Sequence, residues 1–305
     1  MADAGTLAQR VTLVVVCHNS GLVIENLLRS IPVGLPLICV DNACTDDTIT
    51  LIRQYRPDAT ILHNATGQGY ARAANRGLRA VESEFALLAN PDTVLSAEAI
   101  VAMLAAADRF PQAAIIGPVH RDGKGHVEPS HDVALWDRRG RGKRGAEPVP
   151  DGPLCAEFIS GAVTFLRMGM GRAIGFYDED VFLYYEDDDF CLRLRQAGHL
   201  LIVDPAAVVV HLGGGSVRPS KGYAWEKFWH LGWSRIHFEA KHRGRAAAFR
   251  TGVILAARYF TKALTASLAF NRKKAGRDWA RCAGTLAALR GVKAHDYAVR
   301  MSTHG

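Results

Sequence analysis

Four carboxylates stand in a row at Glu186, Asp187, Asp188 and Asp189. Adjacent acids repel one another, which raises the proton affinity of at least one of them. A carboxylate tuned in this way takes a proton from a hydroxyl near neutral pH, so the run is a candidate for general-base chemistry. A helix predicted over 188–197, with Phe190, Leu194 and Ala197 on one face, accounts for Asp188 and Asp189 as acids of its first turn. Glu186 and Asp187 precede that helix and follow Phe182-Leu183-Tyr184-Tyr185, which reads as an aromatic strand. One of this earlier pair is the candidate base.

A second group suits a metal and a phosphate-bearing ligand. Asn90-Pro91-Asp92 follows an apolar run, and its proline holds a turn that projects Asp92, a hard oxygen donor for Mg²⁺ or Mn²⁺. The same tripeptide is also a common turn sequence. His211 ends Val208-Val209-Val210 and precedes three glycines; a lone histidine is usually structural, and Asp92 is what makes it a metal-ligand candidate. Asp41-Asn42 ends another apolar run and offers acceptors to a pyrimidine imide or a ribose hydroxyl, while Asp46 and Asp47 behind it suit a helix cap. Gly67-Gln68-Gly69 resembles the start of a dinucleotide fingerprint, but Arg72 stands at the third glycine and suits a diphosphate instead. Asn75 lies close to it around the helix.

These residues need a frame. Apolar runs at 11–17, 37–40, 59–63 and 85–89 are predicted strands, separated by predicted helices at 21–29, 46–55 and 70–81. Such alternation argues a mostly parallel sheet covered by helices. Ligands of open α/β sheets sit at the carboxyl ends of strands. There the chain places Cys17-His18-Asn19, Asp41-Asn42, Asn64 and Asn90-Pro91-Asp92. Residues 118–153 break the pattern and read as a long loop, with a solvated basic run at Arg138, Arg139, Arg141, Lys143 and Arg144. Order resumes at 156–166, 181–185, the 188–197 helix and 200–210.

The chain has 305 residues, 49% of them hydrophobic and 22% charged. That composition excludes a wholly disordered, collagen-like or disulfide-scaffold protein. The formal charge of +7 hides an asymmetry: residues 1–214 carry 19 Lys/Arg against 26 Asp/Glu, and residues 215–305 carry 18 against 4. We expect a boundary near 215, with an α/β domain at 1–214 and a basic helical extension at 215–305 that seeks an anionic partner. The six cysteines form no CxxC pair, which favours reduced thiols and a cytoplasmic location. The apolar run at 11–17 is too short for a signal peptide core, and no stretch of about 18 apolar residues predicts a membrane span.

Seven segments recur in one order: Val40-Asp41-Asn42-Ala43-Cys44-Thr45-Asp46, Gly69-Tyr70-Ala71-Arg72-Ala73-Ala74-Asn75-Arg76-Gly77, Asn90-Pro91-Asp92, Ser160-Gly161-Ala162, Phe176-Tyr177-Asp178-Glu179, Tyr185-Glu186-Asp187-Asp188-Asp189 and Val210-His211-Leu212-Gly213-Gly214-Gly215-Ser216. Together they resemble a family-2 glycosyltransferase of the bacterial rhamnosyltransferase and galactofuranosyltransferase type, over roughly residues 11–240. The resemblance implies a GT-A fold, a mostly parallel Rossmann-like sheet flanked by helices. It implies that Asp41 recognises the donor's base, that Asp92 holds Mg²⁺ or Mn²⁺ with His211 completing the site, and that Asp187, beside Glu186, is the catalytic base. Cys17, Asn19, Asn42, Arg72, Asn75 and Asn90 are expected around the donor, and Ser160, Gly161, Trp225 and Trp229 toward the acceptor. The implied reaction is an inverting displacement on a nucleotide-sugar donor, dTDP-rhamnose first and UDP- or GDP-sugars next. The implied acceptor is a cell-envelope or polyprenyl-linked saccharide.

The tail adds Trp225, Trp229 and Trp233 at i, i+4, i+8, which suits either packing or an aromatic wall for a sugar or a membrane interface. A helix predicted at 246–270 sets Phe249, Val253, Phe260 and Leu264 against Thr251, Arg258 and Lys262, with Arg272-Lys273-Lys274 following. We expect it on the anionic inner face of the cytoplasmic membrane. No nucleic-acid partner is expected, and a homodimer is left open. Two rivals remain. A nucleotide-sugar pyrophosphorylase wants a basic Gly-rich loop where Cys17-His18-Asn19-Ser20 stands. A non-catalytic lipid- or nucleic-acid-binding protein has no reason to keep so many strand ends polar.

Overall fold

The computed structural model describes residues 4–136, 147–213 and 222–302. The basic run at 138–144 and the glycines at 214–215 lie outside the described residues. The chain runs α1 (Ala4–Arg10), β1 (Val11–Cys17), α2 (Ile24–Ser30), β2 (Leu37–Asp41), α3 (Thr48–Tyr55), β3 (Thr60–His63), α4 (Gly69–Arg79), β4 (Phe85–Ala89), β5 (Thr93–Val94), α5 (Ala97–Arg109) and β6 (Ala113–Arg121). Short strands β7 (Val127–Glu128), β8 (His131–Asp132), β9 (Leu154–Cys155) and β10 (Phe158–Ile159) precede β11 (Val163–Arg167), α6 (Met168–Ala173), α7 (Glu186–Gln196) and β12 (Leu200–His211). The remainder is helical: α8 (Tyr223–Arg243), α9 (Arg245–Leu268), α10 (Arg272–Leu289) and α11 (Ala294–Ser302).

Two compact units divide the chain. One is Met1–Gly67, Ala73–Tyr177 and Phe190–Arg218; the other is Gln68–Arg72, Asp178–Asp189 and Pro219–Gly305. The tail expected as a separate region thus gains two short segments from earlier in the chain, one of which carries the acid run.

The first unit is built on a sheet ordered β3-β2-β1-β4-β11-β6-β12-β5. The first four strands are parallel, as the alternating pattern predicts, whereas β11 enters antiparallel between β4 and β6. Strands β1, β2 and β4 are apolar on both faces because helices cover both, and they are almost completely buried. Phe85 of β4 stacks on Phe165 of β11 at a centroid distance of 4.9 Å in the middle of this core. Residues 118–153 are not one loop: β6 runs on to Arg121, and β7 and β8 follow. Helix α3 starts at Thr48, where Asp46 Oδ1 accepts from the Thr48 backbone N–H (3.1 Å) and hydroxyl (2.5 Å). Asp47, at the cap position, makes no capping hydrogen bond through its side chain.

The second unit packs α8, α9 and α10 together. Gly232 and Gly284 allow α8 and α10 to meet backbone to backbone, since a Cβ on either would lie 2.4 Å from Arg281 O or 2.0 Å from Trp229 O. Helix α9 buries Ala248, Gly252, Leu255, Ala256 and Ala263. It leaves Phe249, Val253, Ile254, Phe260, Leu264 and Leu268 exposed, with Phe270 beyond it. Among the described residues no helix is long and apolar enough to cross a membrane.

Candidate active site

In the first unit, strand register assembles one corner at the end of the sheet. His211 on β12 lies opposite Thr93 on β5, and the Leu212 N–H donates to Asp92 O at 2.9 Å. On the other side of β12, β6 places His120 opposite Val209, and β7 places Glu128 opposite His120. Asp92 is 1% exposed, and its Oδ1 has no hydrogen-bond partner. His211 Nε2 lies 3.6 Å from that oxygen, too long for a hydrogen bond. His211 Nδ1 pairs with Glu128 Oε2 at 3.0 Å. Asp92 raises the imidazole's pKa most, burial opposes it, and Glu128 adds to the rise. Nearby His120 is pushed down to about 3 by burial, with His211 and His131 adding to the effect.

A buried carboxylate oxygen without a partner is costly, and a hard divalent cation satisfies it. Among the described residues no group of three or more His, Cys, Asp or Glu is arranged to hold a metal ion. Asp92 and His211 therefore fit a cation that completes its shell with phosphate oxygens and water, as Mg²⁺ and Mn²⁺ do beside nucleotides.

The neighbouring strand ends carry the polar residues expected around a donor, in unequal roles. Burial pushes the Asp41 carboxyl up, but the Cys44 N–H (2.8 Å) and His63 (2.8 Å) outweigh it and hold it below the usual carboxylate range. Asn42 Oδ1 accepts from Asn64 Nδ2 at 3.0 Å, and Asn19 Oδ1 accepts from the Thr45 N–H at 2.7 Å. These links tie the ends of β1, β2 and β3 into one polar ledge. Asn90 donates its N–H to Ala162 O (2.8 Å), and the Ser160 hydroxyl accepts from the Ala162 N–H (3.4 Å), so Ser160-Gly161-Ala162 borders the Asp92 turn.

Two of the residues expected around the donor lie buried in the first unit. Cys17 is fully buried in the core, and its carbonyl accepts the Asn42 N–H. Its side chain packs in the hydrophobic core, at the end of a strand apolar on both faces. Asn75 is 0% exposed; its Nδ2 donates to Tyr177 O and its Oδ1 accepts the Tyr177 N–H, both at 2.9 Å. It is a clamp for the Phe176–Tyr177 backbone, where Phe176 holds a φ of 61°.

In the second unit, the acid run sits differently from its expected place. Residues 181–185 form no strand, because Tyr184 and Tyr185 hold φ of 66° and 71°, a left-handed conformation incompatible with one. Helix α7 begins at Glu186, so all four acids lie in its first turn, where the helix dipole favours negative charge. Burial and the neighbouring Asp187 push the Glu186 carboxyl well above the usual range. Glu186, Asp188 and Asp189 are buried, and Asp187 is partly buried.

Helix α8 fastens this segment residue by residue. Lys241 Nζ bonds Asp178 Oδ2 (2.6 Å) and Asp189 Oδ1 (2.8 Å), His237 meets Asp178 (3.1 Å), and His242 meets Asp189 (2.7 Å). Ser234 donates to Leu183 O, and His230 stacks on Phe182 at 4.7 Å. The Tyr70 N–H donates to Phe182 O at 2.8 Å, and a Cβ on Gly69 would lie 2.4 Å from the same oxygen, so only glycine fits there. Arg72, expected on a diphosphate, donates its Nε to Glu179 O at 3.1 Å.

The tryptophans divide. Trp229 stacks on Tyr297 at 3.7 Å and is buried with Trp233. Trp229 is therefore a core residue of its unit, not an acceptor surface. Trp225 stays exposed and donates to Tyr297 OH. Glu128, Asp178, His237, Lys241 and His242 were not singled out as site residues from sequence. Asp178 stood inside a quoted motif, whereas nothing local to Glu128 marks it, because only the register of a two-residue strand brings it to His211.

Known proteins resemble this chain in sequence and in fold. Relatives include the N-acetylglucosaminyl-diphospho-decaprenol L-rhamnosyltransferase of Mycobacterium tuberculosis, 28% identical over 236 residues, covering 65% of this chain and 75% of the relative. The pre-mycofactocin glycosyltransferase of the same organism is 27% identical over 213 residues, 68% of this chain and 44% of that protein. Among solved structures, the mannosyltransferase PcManGT from Pyrobaculum calidifontis, in complex with GDP-Man and Mn²⁺, has a TM-score of 0.54 at 18% identity, covering 92% of this chain and 87% of that one. S. aureus TarS 1-349 gives 0.53 at 13% identity, with 92% of each chain covered. These two share the GT-A fold. The glycosyl transferase family 2 model matches residues 12–168, and the chain belongs to that family.

Proposed function

We propose that the protein is an inverting sugar transferase acting from a nucleoside-diphosphate sugar, dTDP-rhamnose first and UDP- or GDP-sugars next, onto a lipid-linked envelope saccharide. The observation that carries the chemistry is Asp187, less buried than the three acids beside it. A base must reach its substrate, and burial with the neighbouring Asp187 pushes the Glu186 carboxyl well above the usual range, which favours placing the charge on Asp187. In this reading Asp187 takes the acceptor hydroxyl's proton as that oxygen bonds the anomeric carbon. The bond from that carbon to the diphosphate oxygen breaks, and its electron pair leaves with the nucleoside diphosphate. Asp41, Asn42 and Asn19 hold the nucleoside, and Asn90 steadies the turn of Asp92. Asp92 and His211 would hold the divalent cation, which supplies charge neutralisation to the departing diphosphate. The relative that transfers L-rhamnose to a decaprenyl-linked sugar supports this choice of donor and acceptor.

The exposed stripe of α9 supports a position on the inner face of the cytoplasmic membrane. It has no acidic residue, Arg250, Arg258 and Lys262 lie on the same helix, and Arg272, Lys273 and Lys274 follow. Apolar side chains entering the interface with cations at the headgroups fit an anionic bilayer. Flotation with phosphatidylglycerol vesicles checks this: the protein should float with them and stay behind with neutral vesicles, and a wholly soluble protein would sink the idea.

Transfer and donor binding across a panel of nucleotide sugars, with Mn²⁺ or Mg²⁺, test the catalytic reading. One donor should support turnover, lost in Asp92→Ala and Asp187→Asn; binding of no donor would overturn it.

A further inference from the structure

We propose that Glu128 is a positioning residue of the cation site. The inference rests on assigning Asp92 and His211 to a divalent ion. Imidazole binds a metal through a nitrogen that carries no proton, and which nitrogen that is depends on the bond made by the other. Here Glu128 Oε2 lies 3.0 Å from His211 Nδ1. A carboxylate only accepts, so Nδ1 carries the proton and donates it. With Nδ1 taken by Glu128, Nε2 is the nitrogen a cation would meet, on the side where Asp92 Oδ1 stands 3.6 Å away without a hydrogen-bond partner. That nitrogen and that oxygen therefore converge because Glu128 fixes the ring.

Glu128 reaches the ring from a strand 36 positions beyond Asp92 and touches the site through His211 alone. Its side chain is 31% exposed, so it is held by the pairing of β7 with β6 and not by deep burial. Removing it leaves the ring free to exchange tautomers and to turn, while the fold loses only a partly exposed pair.

Titration with Mn²⁺, followed by the EPR signal of the free ion, tests this with dTDP and with UDP present in turn. Glu128→Ala should weaken Mn²⁺ binding about 10- to 100-fold. Glu128→Gln keeps an acceptor oxygen but not the charge, and should fall between Ala and wild type. In a His211→Ala background, Glu128→Ala should change Mn²⁺ affinity little further, because the ring it orients is gone. Wild-type affinity in Glu128→Ala, or an equal loss with and without His211, overturns the proposal. Loss in Asp92→Ala and His211→Ala but not in Glu128→Ala removes Glu128 alone. No Mn²⁺ binding by wild type, or binding indifferent to Asp92, removes the metal assignment and this inference with it. Should Glu128→Ala fail to fold, Glu128→Gln with and without His211 decides the matter.

Discussion

The two sets of chemical groups are held by different means. In the first unit, Asp92, His211 and Glu128 meet because four strands pair in register, and backbone hydrogen bonds set their places. In the second, the segment 178–189 has no strand to lean on, and its place is set by ion pairs and hydrogen bonds from α8. A site fixed by a sheet tolerates the loss of one side chain; a site fixed by side chains loses its shape with them. The first arrangement isolates chemistry from stability, and the second couples them.

The sharpest test of that contrast is Asp187→Asn. It should lower transfer by about 10²- to 10⁴-fold while donor affinity and the melting temperature stay put, checked by single-turnover assays beside calorimetry. An effect of only a few-fold would move the base elsewhere. Next comes Asn75→Ala, which removes two buried side-chain hydrogen bonds to the Tyr177 backbone inside the first unit. Their loss should cost about 2–4 kcal/mol in urea denaturation; a loss under about 1 kcal/mol would mean that other groups or water replace the clamp.

Lys241→Met should cost less stability, about 1–2 kcal/mol, since its side chain is 32% exposed and screened by solvent. It should nevertheless reduce turnover more than Asn75→Ala does, because it loosens both ends of 178–189. Equal stability loss with unchanged kcat would erase the contrast drawn above.

The smallest effect concerns pH, and here the units behave alike. Burial pushes His120 in the first unit and His230 in the second down to about 3. Between the ordinary histidine value of about 6.5 and that point the unfolded chain binds protons that the folded one refuses, so stability falls as pH falls through this window. Asp178 acts lower: His237 and Lys241 outweigh burial and depress its carboxyl, so its contribution is full above about 4 and lost as pH drops further. His230→Phe should flatten the decline of melting temperature between pH 6.5 and 4, and an unchanged slope would show that His230 does not drive it.

Much of the first unit is legible in the sequence because its strands are apolar on both faces and its turns are polar. The runs at 11–17, 37–40 and 85–89 became β1, β2 and β4 almost residue for residue. Asp92 and His211 were legible for the same reason, standing where apolar runs stop. Glu128 was not, because a two-residue strand leaves no periodic signal and its partner is 83 residues away. The aromatic run 182–185 misled: its composition favours a strand, but two left-handed tyrosines turn the chain so that α7 opens at Glu186. Propensity there yielded to contacts from α8, which no local window contains.

The fastening of 178–189 by α8 also sets an order of events during synthesis. The acid turn leaves the ribosome well before Ser234, His237, Lys241 and His242 do, and until they arrive its buried carboxylates have no cations to meet. The strands of β1 to β4 need nothing so distant. Growing chains can therefore acquire their sheet early, while the acid turn waits for α8. A chain cut short after β12 would keep the strands and the Asp92 corner yet leave the acid turn unfastened, which makes the emergence of α8 the step that completes it.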